Sequence, residues 1–271
     1  MRIAIIAVAA ALALVAPRVA EARDYELVAL DAASTLLRFD SAHPGAVTAT
    51  KVRGVAGTLV GIDHRPSNRV LYGISTTNDV YSIDRASGVA TLVSTLTIAF
   101  DAGARSGFDF NPQTDRVRLV GANGQNLRVN VDLGATAADA PLRYAPTDPN
   151  AGKRPAIAAA AYSNAVPNAP TTKLFDIDAE LDVLALQDPP NDGVLTTVGP
   201  LGVDFAPLAG FDIVSDQGAD RAFAVSGTSL YEIDLASGKA TQVGTVGGSA
   251  EGGLIGLTVV PASDPVRPAY P

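Results

Sequence analysis

No cysteine occurs among the 271 residues. That excludes a disulfide framework, a thiolate metal site and a cysteine nucleophile. Histidine is nearly as scarce. His43 and His64 are the only two, they fall in different repeats, and neither a zinc site nor a catalytic histidine pair is expected. Basic charge is short as well: 20 Lys and Arg stand against 28 Asp and Glu. A net charge of −8 and a pI near 4.7 argue against nucleic acid or an anionic membrane as partner. There is no G-x-S-x-G elbow and no Walker loop. No stretch sustains a 3.6-residue apolar period, so helices have little place.

What is present divides into a leader, a repeating body and a tail. Met1-Arg2 is followed by a 14-residue apolar run, Ile3 to Ala16, then Pro17 and the small-x-small triplet Ala20-Glu21-Ala22. The run is shorter than the ~20 residues that span a bilayer. The expectation is a signal peptide over 1–22 and export to the periplasm or the exterior. The body over 23–261 is 47% hydrophobic and 18% charged by whole-chain composition, which fits a packed globule that stabilises itself by burial alone. Residues 262–271, with Pro265, Pro268 and Pro271, are expected to form a disordered tail.

Within the body one frame recurs. Gly61-Ile-Asp63, Val70-Leu-Tyr-Gly-Ile74, Asp79-Val-Tyr-Ser-Ile-Asp84 and Ala86-Ser-Gly88 return as Gly210-Phe-Asp212, Arg221-Ala-Phe-Ala-Val225, Ser229-Leu-Tyr-Glu-Ile-Asp234 and Ala236-Ser-Gly238. The leading small residue is Gly61, Gly107, Ala159, Gly210 and Gly256, at intervals of 46, 52, 51 and 46. Four short strands per period of this length read as a propeller blade. The last copy has only an inner strand, Leu254–Val260, and the first copy lacks one. Joining them predicts an all-β, five-bladed β-propeller of four-stranded blades, closed by the C-terminal strand within the N-terminal blade.

The third copy breaks the pattern. Aligned on the Asp ending the third strand, one column reads Leu36, Val80, Arg128, Val183, Leu230. A second-strand column reads Leu27, Leu71, Arg118, Leu174, Ala222. Two guanidiniums on a normally apolar face are costly without acceptors. The fourth copy is small-residued over Ala158–Ala161, which leaves room. A polar pocket between the third and fourth blades is expected, lined by Arg118, Arg128, Asn126, Asn130, Asp109 and Tyr162. The other reading is an arginine pair satisfied internally by carboxylates such as Asp109 or Asp132. Asp63, Asp109 and Asp212 are expected to cap turns within their own blades, the lesser reading being a shared Ca²⁺ on the axis. No metal site, cofactor or catalytic residue is assigned.

The segments Gly107–Pro112, Asp115–Val120, Gly124–Asn130, Pro189–Gly193, Thr197–Asp204 and Ala209–Ile213 together resemble the DUF4394 family, over about Leu27 to Val260. The resemblance implies a bacterial exported protein of propeller type and no activity. The reading favours a non-catalytic binding or scaffold module for a polar small molecule, a glycan or a protein. The alternatives are a glycan-directed hydrolase or lyase, and a structural component of a surface layer or matrix.

Overall fold

In the computed structural model the described residues are 24–260, apart from 217 and 249. The expected leader and tail lie outside the described residues. Twenty-one strands, β1 to β21 in chain order, form five sheets. Blade one contains β1 (Glu26–Asp31), β2 (Thr35–Asp40) and β3 (His43–Lys51). Blade two contains β4 (Leu59–His64), β5 (Leu71–Ser75), β6 (Asp79–Ile83) and β7 (Ala90–Thr95). Blade three contains β8 (Ser106–Asn111), β9 (Arg116–Gly121), β10 (Asn126–Val129) and β11 (Thr136–Ala138). In blade four, β13 (Ile157–Tyr162), β14 (Leu174–Asp178), β15 (Val183–Gln187) and β16 (Val194–Pro200) are joined by a fifth, parallel edge strand, the two-residue β12 (Arg143–Tyr144). Blade five contains β17 (Ala209–Asp216), β18 (Ala219–Ser226), β19 (Ser229–Ile233) and β20 (Ala240–Thr245).

The final strand, β21 (Leu254–Val259), pairs with β1 as the innermost strand of blade one, with Leu27 opposite Val259 and Leu30 opposite Gly256. The ring is therefore a closed five-bladed propeller. No α-helix is present among the described residues; one 3₁₀ turn covers Pro190–Asp192. His43 opens β3.

The turns have a local cause. Asp84 Oδ1 accepts the N–H groups of Ala86 and Ser87 at 2.9 and 2.8 Å, and Gly88 supplies the positive φ of 73° that closes the hairpin. Asp234 and Gly238 repeat the arrangement. Blades pack face to face through apolar clusters. Tyr72, Phe110 and Leu119 fill the seam between blades two and three, and Phe211, Ile213 and Leu184 the seam between four and five. Each such fully buried side chain contributes about 1.5–3 kcal/mol.

The recurring small residue marks the axis. A Cβ at Gly107 would lie 2.5 Å from the Ala160 backbone nitrogen, and one at Gly210 2.3 Å from the Gly256 carbonyl carbon. Neither contact is possible, so five inner strands meet this closely only where side chains are missing. The space left on the axis is about 10 Å³, about what one water needs.

Candidate ligand site

Strand pairing fixes which residues are equivalent. Opposite the inner-strand residue two past the axial small residue (Thr258, Asp63, Asp109, Ala161 and Asp212) lie Val28, Tyr72, Arg118, Phe175 and Phe223. Arg118 thus interrupts a column of aromatic and branched residues. On the next strand the apolar column is Leu36, Val80, Leu184 and Leu230, and its exception is Asn126. Arg128 pairs with Arg118 across the hairpin but shares its column with Arg38, Ser82, Leu186 and Glu232, a place that is polar in all but blade four. The sequence alignment took Asp132 as the end of the third strand. The structure gives that role to Asn130, whose Oδ1 accepts the Asp132 N–H at 3.1 Å as Asp84 and Asp234 do in their turns.

Arg118, Asn126 and Tyr162 are brought together in the seam between blades three and four. Arg118 is 2% exposed. Its Nη1 donates to Asp139 Oδ2 at 2.6 Å and Asn126 Oδ1 at 2.7 Å, its Nη2 to Asn191 Oδ1 at 2.7 Å, and its Nε to the Tyr162 hydroxyl at 3.2 Å. Arg128 binds the same Asp139 through Nε and Nη2 at 2.7 and 3.0 Å, with its side chain 43% exposed. Asn126 Nδ2 donates to the Ala140 and Pro190 carbonyls at 3.0 and 2.9 Å. Four members of this seam went unnoticed in the sequence: Asp139, Asp176, Gln187 and Asn191. Only the Pro189–Gly193 motif offered a signal.

Asp109 belongs to a different group, two residues past the closest approach on the axis. Oxygens of Asp63, Asp109 and Asp212 lie within 4.8 Å of one another, all three residues being buried. Each carboxylate holds the next blade rather than a turn in its own. Asp63 accepts from Phe110 N at 2.9 Å, Asp109 from Tyr162 N at 2.8 Å and Asp212 from Val259 N at 2.6 Å. Blade four has Ala161 at this level and blade one Thr258, whose hydroxyl donates to Asp63 Oδ1 at 2.9 Å. Burial first, and neighbouring Asp212 second, push the Asp63 carboxyl well up. Burial followed by Asp63 and Asp212 does the same to Asp109, and burial raises Asp212 to about 6. His64 is held neutral, pushed down to about 3 by burial and then by the Arg85 charge. This trio supplies hard oxygen ligands of the kind a cation takes and equally retains protons.

Asp63 and Asp212 also line a funnel of about 610 Å³ at the axis, walled by Tyr25, Arg85 and Phe110. The funnel shares His64, Arg69, Arg85 and Val260 with a depression of about 710 Å³ beside blade two. It shares Ser215 with a groove of about 1520 Å³ between blades four and five. That groove carries Asn164, Thr172, Lys173, Asp188, Asp220 and Lys239, side chains that donate and accept hydrogen bonds in nearly equal measure.

Comparison with known proteins adds a family and a fold likeness. A family model described as a domain of unknown function, DUF4394, matches residues 35–258. No curated protein matches the chain. Among solved structures, a structural genomics protein of unknown function from Bacteroides thetaiotaomicron VPI-5482 is similar at a TM-score of 0.49 and 16% identity, over 86% of this chain and 61% of that one. The chain therefore spans under two thirds of that protein's length.

Proposed function

The chain belongs to the DUF4394 family, whose domain has no assigned activity, and from that premise we propose that it is an exported, non-catalytic binding module. Its ligand is an extended polar molecule, best a glycan, lying across the funnel and the two depressions that flank it. The carrying observation is continuity: each of the two depressions shares lining residues with the funnel at the axis. A polar lining without a catalytic histidine or a nucleophile elbow supports recognition over turnover. Cleavage of the leader would release the propeller into the periplasm or beyond.

The test is an array of polysaccharides probed with residues 23–271, followed by titration of each hit. Tyr25→Ala and Arg85→Ala, in the funnel wall, are expected to weaken binding about tenfold or more, whereas Asn123→Ala, in the β9–β10 turn, leaves it unchanged. Binding that ignores both funnel variants removes the site from this face. A second reading, a glycan hydrolase, is favoured by the paired carboxylates Asp63 and Asp212 in the funnel floor. It requires new reducing ends from a bound glycan, lost in Asp212→Asn.

A further inference from the structure

The seam between blades three and four contains two fully buried side chains whose oxygens have no hydrogen-bonding partner among the described residues: both oxygens of Asp176, and Gln187 Oε1. Such orphaned acceptors cost about 1–3 kcal/mol each, and most native polar groups avoid the state. The Gln187 amide cannot be turned to relieve it. Its Nε2 donates to the Pro190 carbonyl at 2.6 Å and to Asn126 Oδ1 at 3.3 Å, and a flip would set its oxygen against both acceptors. Asp176 is flanked across the sheet by the small residues Ala160 and Ala185. Burial pushes the Asp176 carboxyl up, and the nearby Arg118 charge works against it.

The loop Asp188–Gly193 bonds to Gln187 and to its neighbours Asn126 and Arg118. Its Pro190 carbonyl takes the Asn126 and Gln187 amide donors, and its Asn191 carboxamide oxygen takes Arg118 Nη2. The outer side of the same loop, at Asp188 and Pro190, lines the large groove between blades four and five. One short segment therefore separates an open polar groove from a buried set of donors and orphaned acceptors. Its own fastenings at the rim are Ala140 N to Asn191 O at 3.0 Å, Arg143 N to Gly193 O at 2.8 Å and Arg143 Nη1 to Asp192 O at 2.6 Å.

We propose that Asp188–Gly193 is a strap closing a second subsite, which takes one sugar residue of a glycan lying in the groove. The ligand chemistry follows from the inventory. Arg118, Asn126 and Gln187 Nε2 need acceptors once the strap leaves, Gln187 Oε1 needs a donor, and the Asp176 carboxyl, which retains its proton, takes one of each. A hydroxyl does both, and a sugar ring carries several. Asp139 is shared by Arg118 and Arg128, and the second guanidinium, its side chain 43% exposed, is open to water, so the buried charge already has its counter-ion. In the closed state the Pro190 and Asn191 oxygens stand where sugar hydroxyl oxygens go in the open one.

This rests on the glycan reading of the concave face, and the experiment separates the two. Hydrogen–deuterium exchange of the Ala140 and Arg143 amides reports strap opening without any ligand. They are expected to exchange at least about tenfold faster than the amides of β14, and Asn191→Ala to accelerate them again by about tenfold. Exchange no faster than β14 makes the strap a fixed wall and overturns the proposal. For any glycan bound on the array, Asp176→Ala is expected to lower affinity about tenfold and Asn191→Ala to raise it; Asp176→Asn, closer in shape, repeats the first arm should the alanine form not fold. A glycan bound equally by wild type, Asp176→Asn and Asn191→Ala overturns the subsite and leaves the face reading standing. Absence of glycan binding by every form sinks the sugar and the face reading together.

Discussion

Two seams of the propeller are each built on an arginine that points from one repeat toward the next, and they end differently. At the seam of blades two and three, Arg65 forks onto two carboxylates. Asp115 takes Nε and Nη2 at 2.9 and 2.6 Å, and Asp132 takes Nη1 and Nη2 at 2.7 and 2.9 Å. The guanidinium carbon sits 5.8 and 5.9 Å from the ring centres of Tyr72 and Phe110. Every nitrogen of that guanidinium donates to a carboxylate. At the next seam Arg118 distributes its donors over four partners from separate segments, and oxygens of Asp176 and Gln187 beside it are left over. The first arrangement is a lock. The second has more acceptors than the described residues serve.

The contrast is broken most severely at Arg118. Replacement by Met leaves Asn126, Asn191 and Tyr162 without their buried donor and Asp139 with Arg128 alone, and is expected to cost about 3–5 kcal/mol in chemical denaturation. Arg65→Met should cost less, about 1–3 kcal/mol, because Asp115 and Asp132 are 38% and 53% exposed and regain water. If the second loss matches or exceeds the first, the two seams are alike in energy and the comparison fails. A third measurement is stability against pH. Burial raises Asp176 to about 8 and Asp212 to about 6, and lifts Asp63 and Asp109 as well. The folded chain therefore holds protons that the unfolded chain has released from about 3.8 upward, and stability falls as pH climbs from about 4 toward 8. Each retained proton contributes a slope of about 1.4 kcal/mol per pH unit. Below that window the depressed carboxyls Asp115 and Asp132, held down first by Arg65, lose their contribution, which places the optimum near pH 4. Asp176→Asn should flatten the limb between pH 6 and 8; an unchanged limb would show that Asp176 is ionised throughout. The smallest effect is at Arg128, whose half-exposed pairing to Asp139 is worth less than about 1 kcal/mol, so Arg128→Met and Arg118→Met should differ severalfold.

The ring was legible in the sequence because close approach on the axis demands a small residue once per blade, at Gly61, Gly107, Ala159, Gly210 and Gly256. That demand repeats with the fold and survives where the rest of a copy has drifted. Register within blade three was not legible. Asp132 resembles the closing Asp84 and Asp234, but Asn130 performs their turn chemistry, and the two-residue difference moved the exceptional place from Asn126 to Arg128. The roles of Asp63, Asp109 and Asp212 were missed for a related reason. Each binds a backbone N–H of the following blade, and no single repeat contains both halves of that contact. Asp139 and Asn191 reach Arg118 from 21 and 73 residues away, without periodicity to announce them.

The pairing of Leu27 with Val259 has a mechanical consequence. The first strand enters the ring beside the point where the last one leaves, so a pull on the two ends loads the β1–β21 ladder at one edge. The pairs would part singly, Leu27 from Val259, then Val28 from Thr258, as a zip opens, instead of sharing the load as a sheared ladder does. Held by one end, the propeller feels none of this tension; stretched between two anchors, it would open first at its own closure.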